Sequence, residues 1–336
     1  MTLNPDILDR AVGAVLGSAA GDALGAGYEF QPPVPEPTLI RMKGGGMFNW
    51  APGEWTDDTS MAVPILRTLA RGGSFADEAV LDSLVAAWAD WARTAPDVGI
   101  QTRSVLAGLG PREPVPARRG ACGAAGRPSS WGEARTASAA RAAARLEHDQ
   151  SGRSAGNGSL MRTTPLVLGY LDDEAALVTA ARAVSDLTHF EADAGDGCVL
   201  WCLAIRHAIV HGVLDVRRGL DFLPEDRRAL WADRLDAAEA GVPVDFTATN
   251  GWVVSALQAA YAAVLRADSL EDALVAAVRS GNDTDTVAAI AGGLAGAVHG
   301  ASALPAQWRE LLHGWPGLRA DDLVALSSQA LRGAAV

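Results

Sequence analysis

The amino-acid sequence predicts an all-α fold, and three observations support that prediction. Apolar residues recur at the three- and four-residue spacing of an amphipathic helix in one segment after another. Strand-like alternation over five or more residues is nearly absent, and alanine greatly outnumbers the β-branched residues. Runs of Ala and Gly at 17–27 and 288–297 would let helix backbones approach closely. We therefore expect a dozen or so helices.

The helical pattern is clearest in three segments, each with one apolar face. The first face is formed by Ile7, Leu8, Ala11, Val12, Val15 and Leu16, the second by Leu81, Leu84, Val85, Trp88 and Trp91, and the third by Val253, Val254, Leu257, Ala260, Tyr261 and Val264. Pro64 falls inside another expected helix and predicts a kink or an early end there.

Residues 107–130 are rich in Pro and Gly, which excludes a helix. This segment is either a plain surface loop or a flap that faces the substrate with Arg112, Arg118 and Arg119.

Composition limits the classes of function. The chain has 336 residues, of which 49% are hydrophobic and 20% charged, so it can bury a sizeable core. The net charge of −12 gives no general attraction to DNA or to an anionic membrane. A phosphate-bearing ligand would therefore need a local site. We find no signal peptide and no apolar run of membrane-spanning length.

Three cysteines, Cys122, Cys198 and Cys202, form no disulfide framework and predict a cytoplasmic protein. Cys198 and Cys202 lie four residues apart, with His207 nearby. The apolar neighbours favour ordinary core thiols over a zinc site.

Two similar acidic clusters are the main chemical feature. One is T-D-D at 56–58 and the other is D-T-D-T at 283–286, and each opens an apolar segment. Each cluster alone could simply cap a helix. If both converge, their four carboxylates carry a charge of about −4, which two divalent cations would neutralise. Carboxylate and hydroxyl oxygens favour magnesium, manganese or calcium over zinc or copper.

Seven motifs occur in order along the chain: G-x-x-x-G-D-A-L-G at 17–25, Y-E-F at 28–30, W-T-D-D-T-S-M at 55–61, P-D-V-G-I-Q-T-R at 96–103, G-N-G-S-L-M-R at 156–162, L-T-H at 187–189 and G-N-D-T-D-T-V-A-A-I-A-G at 281–292. Together they resemble the ADP-ribosylglycohydrolase family over nearly the whole chain. The resemblance implies one domain over residues 1–336, a compact orthogonal bundle of many helices, and a binuclear Mg²⁺ or Mn²⁺ centre.

The resemblance also implies roles for acidic residues. Thr56, Asp57, Asp58, Asp283, Asp285 and Thr286 would be the metal ligands. Glu29 would lie on a loop that approaches the metals, and Asp97 would lie close to the scissile bond. On their own, Glu29 could be a solvated loop residue and Asp97 a turn residue after Pro96. Asp22 is expected to hydrogen-bond a neighbouring helix or to support the ligand residues.

A second group of residues would bind the ADP-ribose. Positive φ angles at Gly156 and Gly158 would turn successive N–H groups toward a diphosphate. By resemblance, the ligand would contact the residues Gly156, Asn157, Gly158, Ser159, Met161, Arg162, His189 and Phe190. Arg162 could equally form a buried structural ion pair, and His189 could be an ordinary helix-end histidine. Phe190 could stack on adenine; the sequence after His189 departs from the family pattern.

These residues predict hydrolysis of an ADP-ribosyl N- or O-glycosidic bond, with Asp57, Asp58 or Asp97 accepting the proton of the attacking water. The substrate would be ADP-ribose linked to a protein side chain or to another acceptor. The sequence leaves arginine, serine, a nucleic-acid base and other small acceptors open, and nucleic acid is expected only as an ADP-ribosylated substrate. Two alternatives remain: a non-catalytic ADP-ribose-binding or structural descendant, and a binuclear-metal phosphohydrolase of ADP-ribose.

Overall fold

A computed structural model describes residues 4–109 and 135–333, and the regular secondary structure of these residues is almost entirely helical. The α-helices are α1 Pro5–Gly25, α2 Asp57–Ala70, α3 Glu78–Trp91, α4 Ile100–Ala107, α5 Ala137–Ser151, α6 Glu174–Ser185, α7 Ala192–His211, α8 Glu225–Ala240, α9 Val253–Leu265, α10 Leu270–Arg279, α11 Thr284–His299, α12 Ala306–Leu311 and α13 Ala320–Gly333. Short 3₁₀ helices span Asn157–Ser159, Thr164–Gly169, Arg217–Phe222, Pro243–Thr249 and Ala301–Ala303. Two-residue strands β1 His313–Gly314 and β2 Leu318–Arg319 pair antiparallel, with His313 opposite Arg319. The all-α prediction is confirmed.

Helix α1 is the central element of the fold. Asn4 caps it by accepting a hydrogen bond from the Ile7 amide at 2.8 Å, and Pro5 occupies its first turn, where a missing N–H costs nothing. From Ala11 to Gly25 every residue is buried, because neighbouring helices cover all its faces.

The glycines of α1 explain how α11 packs against it. Gly13, Gly17, Gly21 and Gly25 repeat every four residues and so line one face of α1. A Cβ at Gly17 would lie 2.3 Å from the Gly292 carbonyl oxygen, and one at Gly25 would lie 2.4 Å from the Cα of Asp285. The predicted close approach of the Ala- and Gly-rich helices is therefore confirmed, and it ends beside an acidic residue of the second cluster.

One hydrophobic cluster runs from Ile7 in α1 to Leu331 in α13. This continuity supports the prediction of one domain over residues 1–336, which stays a prediction. The three segments predicted from apolar periodicity lie in α1, α3 and α9. Pro64 does not end α2, which continues for six residues beyond it to Ala70.

The proposed loop at 107–130 lies, except for residues 107–109, outside the described residues, as does Cys122. Cys198 and Cys202 are buried free thiols. The Cys198 sulfur lies 3.6 Å from the Ser159 hydroxyl, and the Cys202 sulfur lies 3.9 Å from the Thr163 carbonyl. His207 instead packs against His211, so the zinc alternative gains no support. None of the helices in residues 4–109 and 135–333 is long and apolar enough to cross a membrane.

Candidate active site

The first acidic cluster begins α2, but its side chains do not cap that helix. Thr56 is the N-cap residue and makes no side-chain capping hydrogen bond. Asp22 reaches across from α1 instead, and its two carboxylate oxygens accept from the Thr56 amide at 2.8 Å and the Thr59 amide at 2.9 Å. The expected buried hydrogen bond of Asp22 is thus confirmed. Because Asp22 satisfies the helix start, the carboxylates of Asp57 and Asp58 are not needed for capping.

The second cluster begins α11 in a similar way. Asp283 is the N-cap residue and also makes no side-chain capping hydrogen bond. Its Oδ2 accepts from the Asn157 side-chain amide at 2.7 Å. Asp285 is buried in the first turn of the helix, and its Oδ1 accepts from the Thr286 amide at 3.0 Å. Simple capping therefore explains neither cluster.

The two clusters meet around the hydroxyl of Thr56. Its Oγ1 lies 3.1 Å from Asp58 Oδ2 and 3.4 Å from Asp285 Oδ2, although Thr56 and Asp285 are 229 positions apart. The convergence predicted from the two motifs is observed. Thr286 is also buried at this helix start.

Two groups of carboxylate oxygens have the spacing of cation sites. Within each group, the oxygens all lie within 4.8 Å of one another; one group is Asp22, Asp58 and Asp285, and the other is Glu29, Asp283 and Asp285. Asp285 belongs to both. Asp58 Oδ1 and Glu29 Oε2 are buried without a hydrogen-bond partner, which costs free energy unless a cation binds them. This donor set fits hard divalent cations.

These groups differ in part from the ligands expected by resemblance. Asp57 belongs to neither group, and its Oδ2 accepts instead from the Gly99 amide at 3.1 Å. Asp22 and Glu29 join the groups: Glu29 was expected to approach the metals, whereas Asp22 was expected only to support the ligand residues. The signal for Asp22 lay in its motif, but only the packing of α1 on α2 and α11 brings its carboxylate to the site.

Burial raises the pKa of every carboxyl in the cluster, and the neighbouring carboxylates reinforce the shift for most of them. The pKa of Glu29 rises to about 9, mainly through burial and then through repulsion from Asp283. The pKa of Asp57 rises to about 7, through burial and then Asp97. The pKa values of Asp58 and Asp285 rise well above their usual range. Divalent cations would reverse these shifts by stabilising the ionised forms.

Asp97 lies at the edge of this cluster and is only half-buried. Burial, followed by repulsion from Asp283, raises its pKa to about 6. The hydrogen bond from the Gly99 amide to Asp57 holds its loop against the start of α2.

The Gly156–Ser159 loop lies beside the cluster, but it does not have the backbone geometry that we expected. The φ angle of Gly156 is −59°, and Gly158 is not among the residues with positive φ. The amides of Gly156 and Asn157 donate within the protein, to Gln101 and to the Gly251 carbonyl. Space is restricted at both glycines for a different reason: a Cβ at either position would make a tight contact, 3.3–3.4 Å from the His189 ring.

Met161 and Arg162 are buried behind this loop. The Arg162 guanidinium lies 4.1 Å from the centre of the Trp88 ring and donates to the Val184 carbonyl and the Thr188 hydroxyl. Among the described residues no carboxylate forms a salt bridge with it. These partners are neutral acceptors and an aromatic ring, so the alternative of a buried ion pair for Arg162 gains no support among the described residues.

His189 and Phe190 follow one another, but their environments differ. His189 is 1% exposed and its ring lies against the glycine loop. Phe190 is 40% exposed, and its ring lies 5.3 Å from the Arg145 guanidinium and 5.3 Å from the His148 ring. The Phe190 ring therefore packs against side chains of α5 and is still partly accessible to solvent.

Two further residues at the site were missed from the sequence. Asn250 is fully buried; its Oδ1 accepts from the Asn282 side chain at 2.7 Å and its backbone carbonyl accepts from Asn157 at 2.9 Å. Trp252 pairs with Gly156 through a backbone bridge and is 40% exposed. The dipeptide N-G at 250–251 indicates only a turn, so the sequence carried no signal for either role.

The whole chain is similar to known glycohydrolases. The ADP-ribosylglycohydrolase family model matches residues 3–335. The ADP-ribosylarginine hydrolase Tri1 of Pseudomonas putida (strain GB-1) is 33% identical over 319 residues, covering 92% of this chain and 76% of that protein. The ADP-ribosyl-[dinitrogen reductase] glycohydrolase of Rhodospirillum rubrum is 28% identical over 309 residues, covering 90% of each chain.

A solved structure described as an ADP-ribosylglycohydrolase-related protein complex has the same fold. It aligns with a TM-score of 0.70 and 28% sequence identity, covering 98% of this chain and 100% of that one. Sequence and fold agree across nearly the full length, so the chain belongs to the ADP-ribosylglycohydrolase family and is a glycohydrolase of ADP-ribose linkages.

Proposed function

We propose that this protein removes ADP-ribose from arginine side chains of modified proteins, with a pair of Mg²⁺ or Mn²⁺ ions in the acidic cluster. The observation that carries the proposal is the convergence of two helix starts whose buried carboxylates do not serve as caps. The proposed ligands are the residues that surround the Thr56 hydroxyl and the two oxygen groups: Asp22, Glu29, Thr56, Asp57, Asp58, Asp283, Asp285 and Thr286.

Bound there, the cations would neutralise the clustered carboxylates and polarise the hydroxyls of the ribose to be cleaved. Asp285 belongs to both oxygen groups and would therefore help to hold a cation at either one. The buried oxygens of Asp58 and Glu29 that lack hydrogen bonds would gain partners.

We assign proton transfer from the attacking water to Asp97. It is half-buried, belongs to neither oxygen group, and has a pKa raised to about 6, so it is ionised near neutral pH and remains accessible to water. Asp58 is fully buried and is better suited to a ligand role. Asp57 is a second candidate for the base, held by the Gly99 amide.

Arginine is the proposed acceptor for two reasons. Two similar bacterial proteins, from Pseudomonas putida and Serratia proteamaculans, are named ADP-ribosylarginine hydrolases. Asp97, at the edge of the cluster, would attract a guanidinium group, which is always positively charged. The Gly156–Ser159 loop, His189 and Phe190 would bind the ADP-ribose on the other side. The protein is also proposed to be cytoplasmic, because Cys198 and Cys202 are free thiols.

The test is mass spectrometry of arginine-, serine- and nucleic-acid-linked ADP-ribose after incubation with the enzyme and Mg²⁺. We expect intact ADP-ribose from the arginine-linked substrate, no turnover after exhaustive chelation, and recovery with Mg²⁺ or Mn²⁺. Asp97→Asn should lose turnover while retaining its metal content. Asp233→Asn, at an exposed position on α8, is the control for loss of one negative charge and should behave like wild type.

Three results would contradict the proposal. Release of AMP would indicate a phosphohydrolase, and no product from any substrate would indicate a binding protein. Full turnover in a sample shown by elemental analysis to be metal-free would remove the cation-dependent mechanism.

A further inference from the structure

The buried guanidinium of Arg162 lies at one end of a short chain of hydrogen bonds. Its Nη2 donates to the Val184 carbonyl at 3.2 Å and to the Thr188 hydroxyl at 2.7 Å. A guanidinium has donors and no acceptor, so the direction of the second bond is fixed: Thr188 Oγ1 accepts.

The Thr188 hydroxyl must therefore place its own hydrogen elsewhere. Its other neighbour is Nδ1 of His189, at 2.7 Å, and among the described residues it makes no other hydrogen bond. Thr188 is fully buried, and a buried hydroxyl hydrogen without an acceptor costs free energy. The hydroxyl thus donates to Nδ1, which must be unprotonated. A neutral imidazole with a bare Nδ1 carries its proton on Nε2.

Nε2 is the ring atom that faces the glycine loop. Ideal Cβ positions at Gly156 and Gly158 lie 3.4 and 3.3 Å from it. Gln101 holds the Thr188–His189 segment against the glycine loop. Its side-chain amide donates to the Thr188 carbonyl at 2.9 Å, and its Oε1 accepts from the Gly156 amide at 3.4 Å.

We infer that Thr188 is a positioning residue that holds His189 in the Nε2–H tautomer, so that the ring donates a hydrogen bond to an oxygen of the ADP-ribose bound at the glycine loop. The identity of that acceptor rests on the proposed function; the tautomer does not. Arg162 thus acts on the ligand through Thr188 and His189 without touching it.

Burial supports the same assignment. Desolvation is the main effect that lowers the pKa of His189 well below its usual value, and the nearby positive charge of Arg162 lowers it further. The ring is therefore neutral. A doubly protonated ring would lose the hydrogen bond from Thr188, since Nδ1 would then be a donor.

The tautomer can be measured in the metal-free protein by NMR of histidine labelled with ¹³C and ¹⁵N. The chain has six histidines, and the resonances that disappear in His189→Gln identify the ring of interest. We expect the Nε2–H form of His189 in wild type and in Thr188→Ser, which keeps the hydroxyl. Thr188→Val removes that hydroxyl, so the ring should shift toward the Nδ1–H form.

Calorimetry with ADP-ribose at fixed Mg²⁺ measures the consequence for the ligand. Loss of one well-oriented hydrogen bond predicts about tenfold weaker binding in Thr188→Val, with Thr188→Ser close to wild type. Thr163→Val is the matched control: Thr163 is equally buried, but its hydroxyl donates to the Leu160 carbonyl at 2.9 Å and does not contact His189. It should leave both the tautomer and the affinity unchanged.

An Nδ1–H ring in wild type would overturn the inference, as would unchanged tautomer and affinity in Thr188→Val. Equal loss of affinity in Thr163→Val would also overturn it, because the effect would then be general destabilisation. If the NMR result holds but wild type binds no ADP-ribose, the proposed function fails while the tautomer assignment stands.

Discussion

Replacing Gly292 by alanine tests whether the contact between α1 and α11 is what builds the acidic cluster. A Cβ at this position would lie 2.0 Å from the Gly17 carbonyl oxygen and 2.5 Å from its carbonyl carbon. Ordinary contacts between such atoms begin near about 3.5 Å, so the helices must separate locally by about 1.5 Å. Both groups are backbone and cannot rotate away.

The expected loss of stability follows from two opposing effects. Overpacking of a filled core costs about 1–3 kcal/mol, and we expect the upper end because neither backbone can yield. Alanine is better than glycine in a helix by about 1 kcal/mol. The net prediction is a free energy of unfolding lower by about 2 kcal/mol, measured by urea denaturation.

The same variant should also weaken Mn²⁺ binding, because Asp22 and Asp285 lie on the two helices that separate. Gly195→Ala is the control, since its nearest neighbour at 3.3 Å is the end of the Arg182 side chain and not backbone. It should be as stable as wild type or up to about 1 kcal/mol more stable. The reasoning is wrong if Gly292→Ala unfolds no more easily than wild type, or if Gly195→Ala is equally damaging.

Three further variants or conditions address the site. Gly158→Val would crowd the His189 ring and the glycine loop, so calorimetry should show weaker ADP-ribose binding with unchanged metal content; unchanged affinity would locate the ligand elsewhere. Asp285→Asn removes one repelling charge, so the metal-free protein should be as stable as wild type or slightly more stable. The increase in melting temperature caused by Mg²⁺ and the turnover should both be lost. A capping role for Asp285 predicts instead about 1 kcal/mol of lost stability with activity intact. Because the folded-state pKa values of Asp57 and Glu29 are raised to about 7 and about 9, the stability they contribute is complete below about pH 4 and is lost as pH rises through those values. The metal-free melting temperature should therefore fall between about pH 5 and about pH 9, and saturating Mn²⁺ should flatten that fall; a flat metal-free profile would contradict the shifts.

Local patterns in the sequence were sufficient for the helices and for the identity of the acidic residues. Apolar periodicity is a property of neighbouring residues, so it predicted the segments in α1, α3 and α9. The two hydroxyl–carboxylate motifs each begin a helix, as T-D-D and D-T-D-T suggested, and the family resemblance implied that they converge on one metal centre. Asp22 was recognised as a residue bonded to another helix, but not as the cap of α2.

Tertiary structure decided which groups face one another, because those contacts join residues far apart in the chain. Only the crossing of α1 and α11 brings Asp22 into one oxygen group with Asp285. Only the folded loop places the Gly99 amide against Asp57, which belongs to neither group. The glycines at 156 and 158 pack closely against the His189 ring and do not have positive φ, which no local pattern could show. The proton position on His189 likewise depends on the hydrogen bond from Arg162, 27 positions earlier, to Thr188 and on the bond from Thr188 to His189. The directions of these bonds are fixed only when the folded chain buries Arg162, Thr188 and His189 together.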